Sequence, residues 1–337
     1  MEAERTATGF SCASCGGEAC CRRSRTGVCR TMRHDRGRSH HTLKVGPEMN
    51  GAPAREPALW RRILQSPLTR LILLGGPLVV MMAVSDDLMK HFKAAPLKSI
   101  AAAAAMAALA TAFYAGYVRW VERRPVGELS LSGAGREWVT GLLIGAGLYS
   151  ACVVILIALG MYRIEGLSPW VFVIPAVAMA LKSGVFEELI FRGVLFRSVE
   201  DIFGSWISLA VSALVFGLVH LANPAGTILG AIYISIEAGL LLAAAYMLTR
   251  RLWLSIGFHM AWNYTQSAIF SGIVSGNAPE PGLIRSNIKG PDLLTGGSFG
   301  LESSLIAFAL CTATGVVMLI MALRRGRIVP PVWKRGG

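Results

Sequence analysis

The chain has 337 residues, of which 53% are hydrophobic and only 16% are charged, whereas about 25% of the residues of a soluble domain are charged. This shortage of polar residues excludes a soluble globular enzyme and a disordered protein. The net charge of +13 would suggest nucleic-acid binding in a soluble protein. Here the basic residues flank apolar segments, as expected of a membrane protein. We therefore predict membrane lipid as a partner and no nucleic acid.

Residues 1–60 form a basic segment with few large apolar residues, and we expect a disordered tail there. Its Cys12-x-x-Cys15 spacing is typical of metal ligands, but no second pair of this kind completes a site. An alternative is that the segment is translated upstream sequence and that the native chain begins at Met49. The segment contains five of the seven cysteines, namely Cys12, Cys15, Cys20, Cys21 and Cys29.

Apolar segments fill the rest of the chain, and a bilayer core requires about 17–25 such residues per helix. Residues 61–337 are therefore predicted to form an integral membrane domain, an all-α polytopic helix bundle with about eight transmembrane helices. Cys152 and Cys311 lie within two of these segments and are interpreted as small core residues. The candidate spans are residues 68–85, 99–118, 138–160, 168–187, 205–221, 226–249, 253–270 and 301–323.

Lysines and arginines are distributed unevenly around these spans. With eight spans, sixteen of them flank one side and six flank the other. Because cytoplasmic flanks carry the excess of Lys and Arg, both termini are predicted to be cytoplasmic. The longest internal loop, about residues 271–300, then lies on the opposite side, where its Gly, Pro, Ser and Asn content indicates an ordered or partly mobile cap.

Charged residues inside a membrane are costly, so each one is a functional hypothesis. Glu188 and Arg192 are four residues apart at the end of the predicted fourth span, where a helix would place them on one face and allow them to pair. This pairing would leave Glu187 free for chemistry. Lys182 and Glu237 have no motif around them, and Glu237 is interpreted as a packing or network residue outside the site.

Two further polar groups lie in later spans. His220 follows Phe216 by four residues in the fifth span, while His259 and Asn263 are four residues apart in the seventh and can point the same way. Taken alone, a core histidine or an interhelical hydrogen bond would explain each group. Together with the glutamates they supply a base, a second group that activates water and a pair of oxyanion donors, which is the set that peptide hydrolysis requires.

Three motifs, EExxxR, FxxxH and HxxxN, follow one another in the order that is typical of the CPBP family, which comprises type II CAAX prenyl proteases and bacteriocin-processing enzymes. The sequence resembles this family over about residues 170–270, the predicted catalytic core. The motifs read Glu187-Glu188…Arg192, Phe216…His220 and His259…Asn263.

The resemblance implies an intramembrane endopeptidase that hydrolyses a peptide bond in a membrane-associated or prenylated, CAAX-like substrate. Glu187 would be the general base and His220 would hold or help to activate the attacking water. His259 and Asn263 would stabilise the tetrahedral oxyanion. The residues that would support the site structurally are Glu188, Arg192 and Phe216.

The family has also been described as metalloproteases, which would make Glu187, His220 and His259 the zinc ligands. The H-E-x-x-H pattern, which places two ligands and a base on one helix, is absent from the sequence. We favour the glutamate mechanism without a metal, and zinc is kept as the alternative cofactor.

Two other functions remain open. One is a non-catalytic membrane scaffold or bacteriocin-immunity protein of the same fold, and the other is a transporter whose polar residues line a pathway. The complete set of three motifs favours the protease over the scaffold. The lack of an internal repeat disfavours a transporter built from inverted repeats.

Overall fold

The computed structural model describes residues 21–23, 29–31 and 59–335. The chain divides into two units, Met1–Glu56 and Pro57–Gly337. In the first unit, strands β1 (Cys21–Arg23) and β2 (Cys29–Thr31) pair antiparallel. Cys12, Cys15 and Met49 lie outside the described residues, as does most of the predicted disordered tail. The predictions of a metal site, a later start and disorder in this segment therefore stay predictions.

The second unit is helical, as the sequence predicts. Strand β3 (Tyr162–Leu167) pairs antiparallel with β4 (Ile284–Ile288), and so ties the end of one long helix to the loop before the last one. In the described part of this unit, the α-helices are α1 (Leu59–Leu64), α2 (Pro67–Arg70), α3 (Gly76–His91), α4 (Pro96–Trp120), α5 (Ala134–Ala158), α6 (Pro175–Lys182), α7 (Arg197–Val219), α8 (Ile228–Ile234), α9 (Leu241–Thr249), α10 (Trp253–Tyr264), α11 (Asp292–Thr295) and α12 (Leu305–Arg324).

Five stretches of π-helix connect or extend these helices. The turns of a π-helix are wider than those of an α-helix, and they often occur at functional sites. One precedes α3 and one follows α10. The other three bring the motif residues and their contacts into the bundle. Within the described residues the π-helices are Leu71–Gly75, Ser183–Glu187, Leu189–Phe196, Ser235–Leu240 and Thr265–Ile269.

Six helices in the described part of the chain are long and apolar enough to cross a membrane. The protein is an integral membrane protein, but the count of eight spans stays a prediction. The predicted fourth and fifth spans lie in a single stretch, Trp170–Ala222, which is interrupted where Gly204 takes the non-helical angles φ 76° and ψ 175°. The predicted seventh span corresponds to α10 and the π-helix that follows it, and it is not among the six.

The first motif lies inside a helix rather than at a helix end. Helical structure continues from Pro175 through Glu187 and Arg192 as far as the break at Gly204. The helix therefore continues past residue 187, where the predicted fourth span ends, and the position of the motif at the end of that span stays a prediction. Arg192 and Arg197, which the sequence places among the flanking charges, are 0% and 7% exposed.

A charged network surrounds the start of α7 outside the core. Glu122 accepts hydrogen bonds from Arg70 Nε at 2.7 Å, from Arg197 Nη2 at 2.6 Å and from Arg124 Nε at 2.6 Å. Burial opposes ionisation of Glu122, but the charges of the three arginines outweigh it and lower the pKa of its carboxyl group. The network joins α2, the end of α4 and α7, and so fixes the chain just after the first motif.

Glycines allow α5 and α10 to pack with their backbones in contact. A Cβ atom at Gly141 or Gly145 would collide with the backbone of Leu254 or Phe258, and one at Gly257 would collide with the carbonyl of Trp138. Small residues permit such an approach between membrane helices. The position of α10, which carries the third motif, thus depends on these glycines. The nearby Cys152 and Cys311 are 0% and 2% exposed, which confirms that they are core residues.

We predict that Gly145→Val destabilises the protein by about 2 kcal/mol or more, because the new side chain would force α5 away from α10. Gly147→Val is the matched control, since a Cβ at Gly147 meets nothing within 4 Å and the change in helix propensity is the same. Thermal unfolding of both variants in detergent measures the difference. Equal unfolding temperatures would show that this contact does not position α10.

Candidate active site

The three motifs lie on three neighbouring parts of the bundle. Glu187, Glu188 and Arg192 lie on the π-helical continuation of α6, His220 begins the 3₁₀ turn after α7, and His259 and Asn263 lie on α10. The first of these segments approaches α10 at Gly184, where a Cβ would collide with the side chain of Met260. This close approach brings the polar side chains of the two segments within reach of one another.

A fully buried ion pair joins Glu188 and Arg192. Arg192 Nη1 donates to Glu188 Oε1 at 2.8 Å, and both side chains are 0% exposed. Arg192 Nη2 also donates to the carbonyls of Ala238 and Gly239, at 3.3 and 3.1 Å. These carbonyls belong to the π-helix Ser235–Leu240, so the predicted pair is present and is anchored to a third segment.

His259 lies between the two glutamates. Its Nδ1 is 3.0 Å from Glu188 Oε1, and its Nε2 is 3.8 Å from Glu187 Oε2. The first distance is a hydrogen bond, whereas the second is too long for one. Glu188 is therefore shared between a guanidinium and an imidazole, while the Glu187 carboxylate faces the outer nitrogen of the same ring without a direct bond to it.

Phe216 contacts all three motifs. The guanidinium carbon of Arg192 lies 4.9 Å from the centre of its ring, a cation–π distance. The rings of His220 and His259 lie 4.8 and 6.1 Å from it. This apolar ring explains why a phenylalanine in the second motif can support residues of the other two.

Hydrogen bonds fix the orientation of His220 and Asn263. His220 Nδ1 lies 2.6 Å from the carbonyl oxygen of Phe216. Because that oxygen only accepts, Nδ1 carries a proton, and in the neutral form of such a ring Nε2 is an acceptor. Asn263 Nδ2 donates to Ser183 Oγ at 2.9 Å, and that hydroxyl donates in turn to the carbonyl of Met179 at 3.0 Å. Sequence reasoning did not find Ser183, since a single small hydroxyl in an apolar helix gives no signal.

A cavity of about 1380 Å³ is lined by all four predicted catalytic residues, Glu187, His220, His259 and Asn263. The loop after α10 also lines the cavity, through residues such as Ser275 and Asn277, in agreement with the expected cap. The sequence therefore identifies residues that the fold brings to the wall of one cavity.

Two buried glutamates outside the motifs also line this cavity. Glu237, which we interpret from the sequence as a packing or network residue, is 2% exposed and borders the cavity. Glu302 is 3% exposed and borders it as well. Glu237 could be recognised from the sequence as an isolated charge within an apolar segment. Glu302 could not, because it lies at the edge of a predicted span, where charged residues are common.

The alternative zinc ligands Glu187, His220 and His259 are not gathered around one point. Across residues 59–335 no group of three or more His, Cys, Asp or Glu side chains could hold a metal ion. The side chains in this arrangement do not fit a zinc site, so no chemical step is derived through a metal.

Comparison with protein families gives one match, to the family model described as type II CAAX prenyl endopeptidase Rce1-like, over residues 168–265. This segment is Rce1-like. The match contains all three motifs and confirms the resemblance to the CPBP family. At the level of the family it supports a CAAX-type intramembrane protease. Comparisons with curated proteins and with solved structures give no match.

We predict that Arg192→Met destabilises the protein by about 3–5 kcal/mol, because it leaves Glu188 as an uncompensated charge in the core. Arg163→Met, a change on the exposed face of β3, is the control for loss of one positive charge. Thermal unfolding in detergent compares the two. If both variants unfold at the wild-type temperature, the ion pair does not stabilise this part of the bundle.

Proposed function

We propose that this protein is an intramembrane endopeptidase that hydrolyses a peptide bond of a membrane-associated, CAAX-like substrate with a water activated by Glu187. The observation that carries the proposal is the unequal environment of two adjacent glutamates. Glu188 is fully buried in an ion pair with Arg192, whereas Glu187 is 16% exposed and borders the cavity. One carboxylate is thus committed to structure and the other is available to a reactant.

Glu187 is placed to act as the general base. Its Oε2 is 3.8 Å from His259 Nε2, so it keeps the capacity to accept a proton from a water molecule. In the proposed step the water oxygen bonds to the substrate carbonyl carbon, and the water proton moves to Glu187. His220, whose Nε2 is an acceptor in the neutral ring, would hold the same water from a second direction.

His259 and Asn263 would stabilise the negative oxygen of the tetrahedral intermediate. Asn263 uses one amide hydrogen for Ser183, which leaves the second hydrogen free. Because His259 Nδ1 faces Glu188, its Nε2 can donate to the oxyanion when the ring carries both protons. The intermediate then collapses as the C–N bond breaks, and the leaving amine takes the proton from Glu187.

The cavity suits a substrate with a lipid chain. Its volume of about 1380 Å³ exceeds the range of about 300–1,000 Å³ that is common for small-molecule sites. Beyond the catalytic residues its wall contains many apolar side chains, including Leu71, Val79, Met82, Met89 and Phe172. We infer that the lipid chain lies against this wall while the peptide lies across the polar catalytic side chains. We also infer that both termini of the protein are cytoplasmic.

We predict that Glu187→Gln lowers kcat/KM on a lipidated reporter peptide by about 10²-fold or more, because the amide cannot take the proton of the attacking water. Glu165→Gln, the same change at an exposed position of β3, should leave kcat/KM at the wild-type value. Rates of peptide cleavage by purified protein in detergent, with and without a chelator, provide the measurement.

Undiminished cleavage by Glu187→Gln would contradict the proposed role of this residue. Loss of cleavage on chelation, restored by zinc, would favour the metal mechanism instead. A well-folded wild-type protein that binds lipidated peptides but cleaves none would favour the non-catalytic scaffold.

A further inference from the structure

Two buried carboxyl groups that line the cavity are not used by the proposed mechanism. Glu237 lies in the π-helix Ser235–Leu240, and Glu302 lies in the 3₁₀ turn Leu301–Ser303 just before α12. Both are almost completely buried, at 2% and 3% exposure, and both border the cavity. Two acidic groups therefore line a space that is open to a substrate.

Glu302 has neutral partners that fix its position. Its Oε1 accepts from Trp262 Nε1 at 3.1 Å, and its Oε2 accepts from the backbone N–H and the hydroxyl of Ser275, both at 2.7 Å. Trp262 lies between His259 and Asn263 on α10, whereas Ser275 belongs to the loop over the cavity. Glu302 thus holds that loop to the catalytic helix, and none of these donors cancels its charge.

Glu237 has an oxygen without a partner. Within the described residues, no hydrogen-bond donor lies within reach of its Oε2, although that atom is buried. A buried polar atom without a partner is costly, and native proteins satisfy nearly all of them. Glu237 borders the cavity, so a donor on a bound molecule reaches this oxygen when the side chain turns toward the cavity.

The positive side chains that line the cavity have other acidic partners or are exposed. Lys182 Nζ donates to Asp86 at 2.8 Å and Lys93 Nζ donates to Glu280 at 2.8 Å, while Lys90 is exposed. In the described part of the chain no ion pair involves Glu237 or Glu302. The group that interacts electrostatically with Glu302 is the imidazole of His220, and among the described residues no lysine or arginine forms an ion pair with either glutamate.

Glu302 interacts electrostatically with His220 and with Glu237, so the two glutamates lie near one another and near a proposed catalytic group. The two residues after Glu237, Ala238 and Gly239, provide the carbonyls that hold Arg192, and Trp262 separates His259 from Asn263 by sequence. A substrate residue that reached Glu237 and Glu302 would consequently lie close in sequence to the scissile bond.

From this arrangement we propose that Glu237 and Glu302 form a specificity subsite that binds the positively charged side chain of a lysine or arginine near the scissile bond of the substrate. The proposal rests on the proposed peptidase function and goes beyond it by naming a substrate feature. An ammonium or guanidinium group supplies both the missing donor for Glu237 and the missing positive charge.

The test compares pairs of lipidated reporter peptides that differ only by lysine or norleucine at one position near the cleaved bond. Wild type should cleave the lysine peptide with a kcat/KM at least about tenfold higher at one of these positions, as expected for a charged hydrogen bond. In Glu237→Gln the ratio of the two values should fall to about one. Glu165→Gln should keep the wild-type ratio.

A binding measurement separates this subsite from the peptidase function. The Glu187→Gln protein should bind the lysine peptide more tightly than the norleucine peptide, whether or not any reporter is cleaved. If the lysine and norleucine peptides bind with equal affinity, or if neither binds detectably, the proposed subsite is wrong. The role of Glu187 is not affected by that result, because the cleavage assay tests it separately. A peptide with glutamine at that position that binds as tightly as the lysine peptide would also contradict the proposal, since a neutral hydrogen-bond donor would then be sufficient.

Discussion

The buried ion pair between Glu188 and Arg192 is the interaction on which the rest of the site depends. A charge at 0% exposure within a membrane bundle is tolerated only when its partner and its hydrogen bonds are in place. Arg192 donates to Glu188 and to two carbonyls of the π-helix Ser235–Leu240, and Glu188 Oε1 accepts from Arg192 and lies within hydrogen-bond distance of His259. Among the described residues, Glu188 Oε2 and Arg192 Nε have no further partner. The pair therefore sets the positions of three segments, and Glu187, the next residue, remains outside it.

Close backbone packing is the second constraint. The pair can reach α10 only because Gly184 lets its own segment approach that helix, and α10 is in turn held against α5 by Gly145 and Gly257. Polar groups that would be costly in lipid are thus enclosed by protein and border a cavity. The same geometry that stabilises the charges separates the structural glutamate from the one that we propose to be reactive.

Much of this site could be predicted from the sequence because its residues recur at helical spacing. The interval of four residues identifies the Glu188–Arg192 pair, and the motifs identify His220, His259 and Asn263 as residues that border one cavity. The π-helical turns could not be predicted, because they arise from contacts between segments rather than from local preference. For the same reason neither the bond from Ser183 to Asn263 nor the helical structure that continues past the first motif could be predicted.

The measurement that tests the central claim most directly needs no substrate. It compares the thermal unfolding of Glu187→Gln and Glu188→Gln with that of the wild type in one detergent. The account predicts that Glu188→Gln loses about 3 kcal/mol or more, because Arg192 becomes an uncompensated buried charge. Glu187→Gln should stay within about 0.5 kcal/mol of wild type. Equal losses, or a larger loss for Glu187→Gln, would contradict the division between a structural and a reactive glutamate.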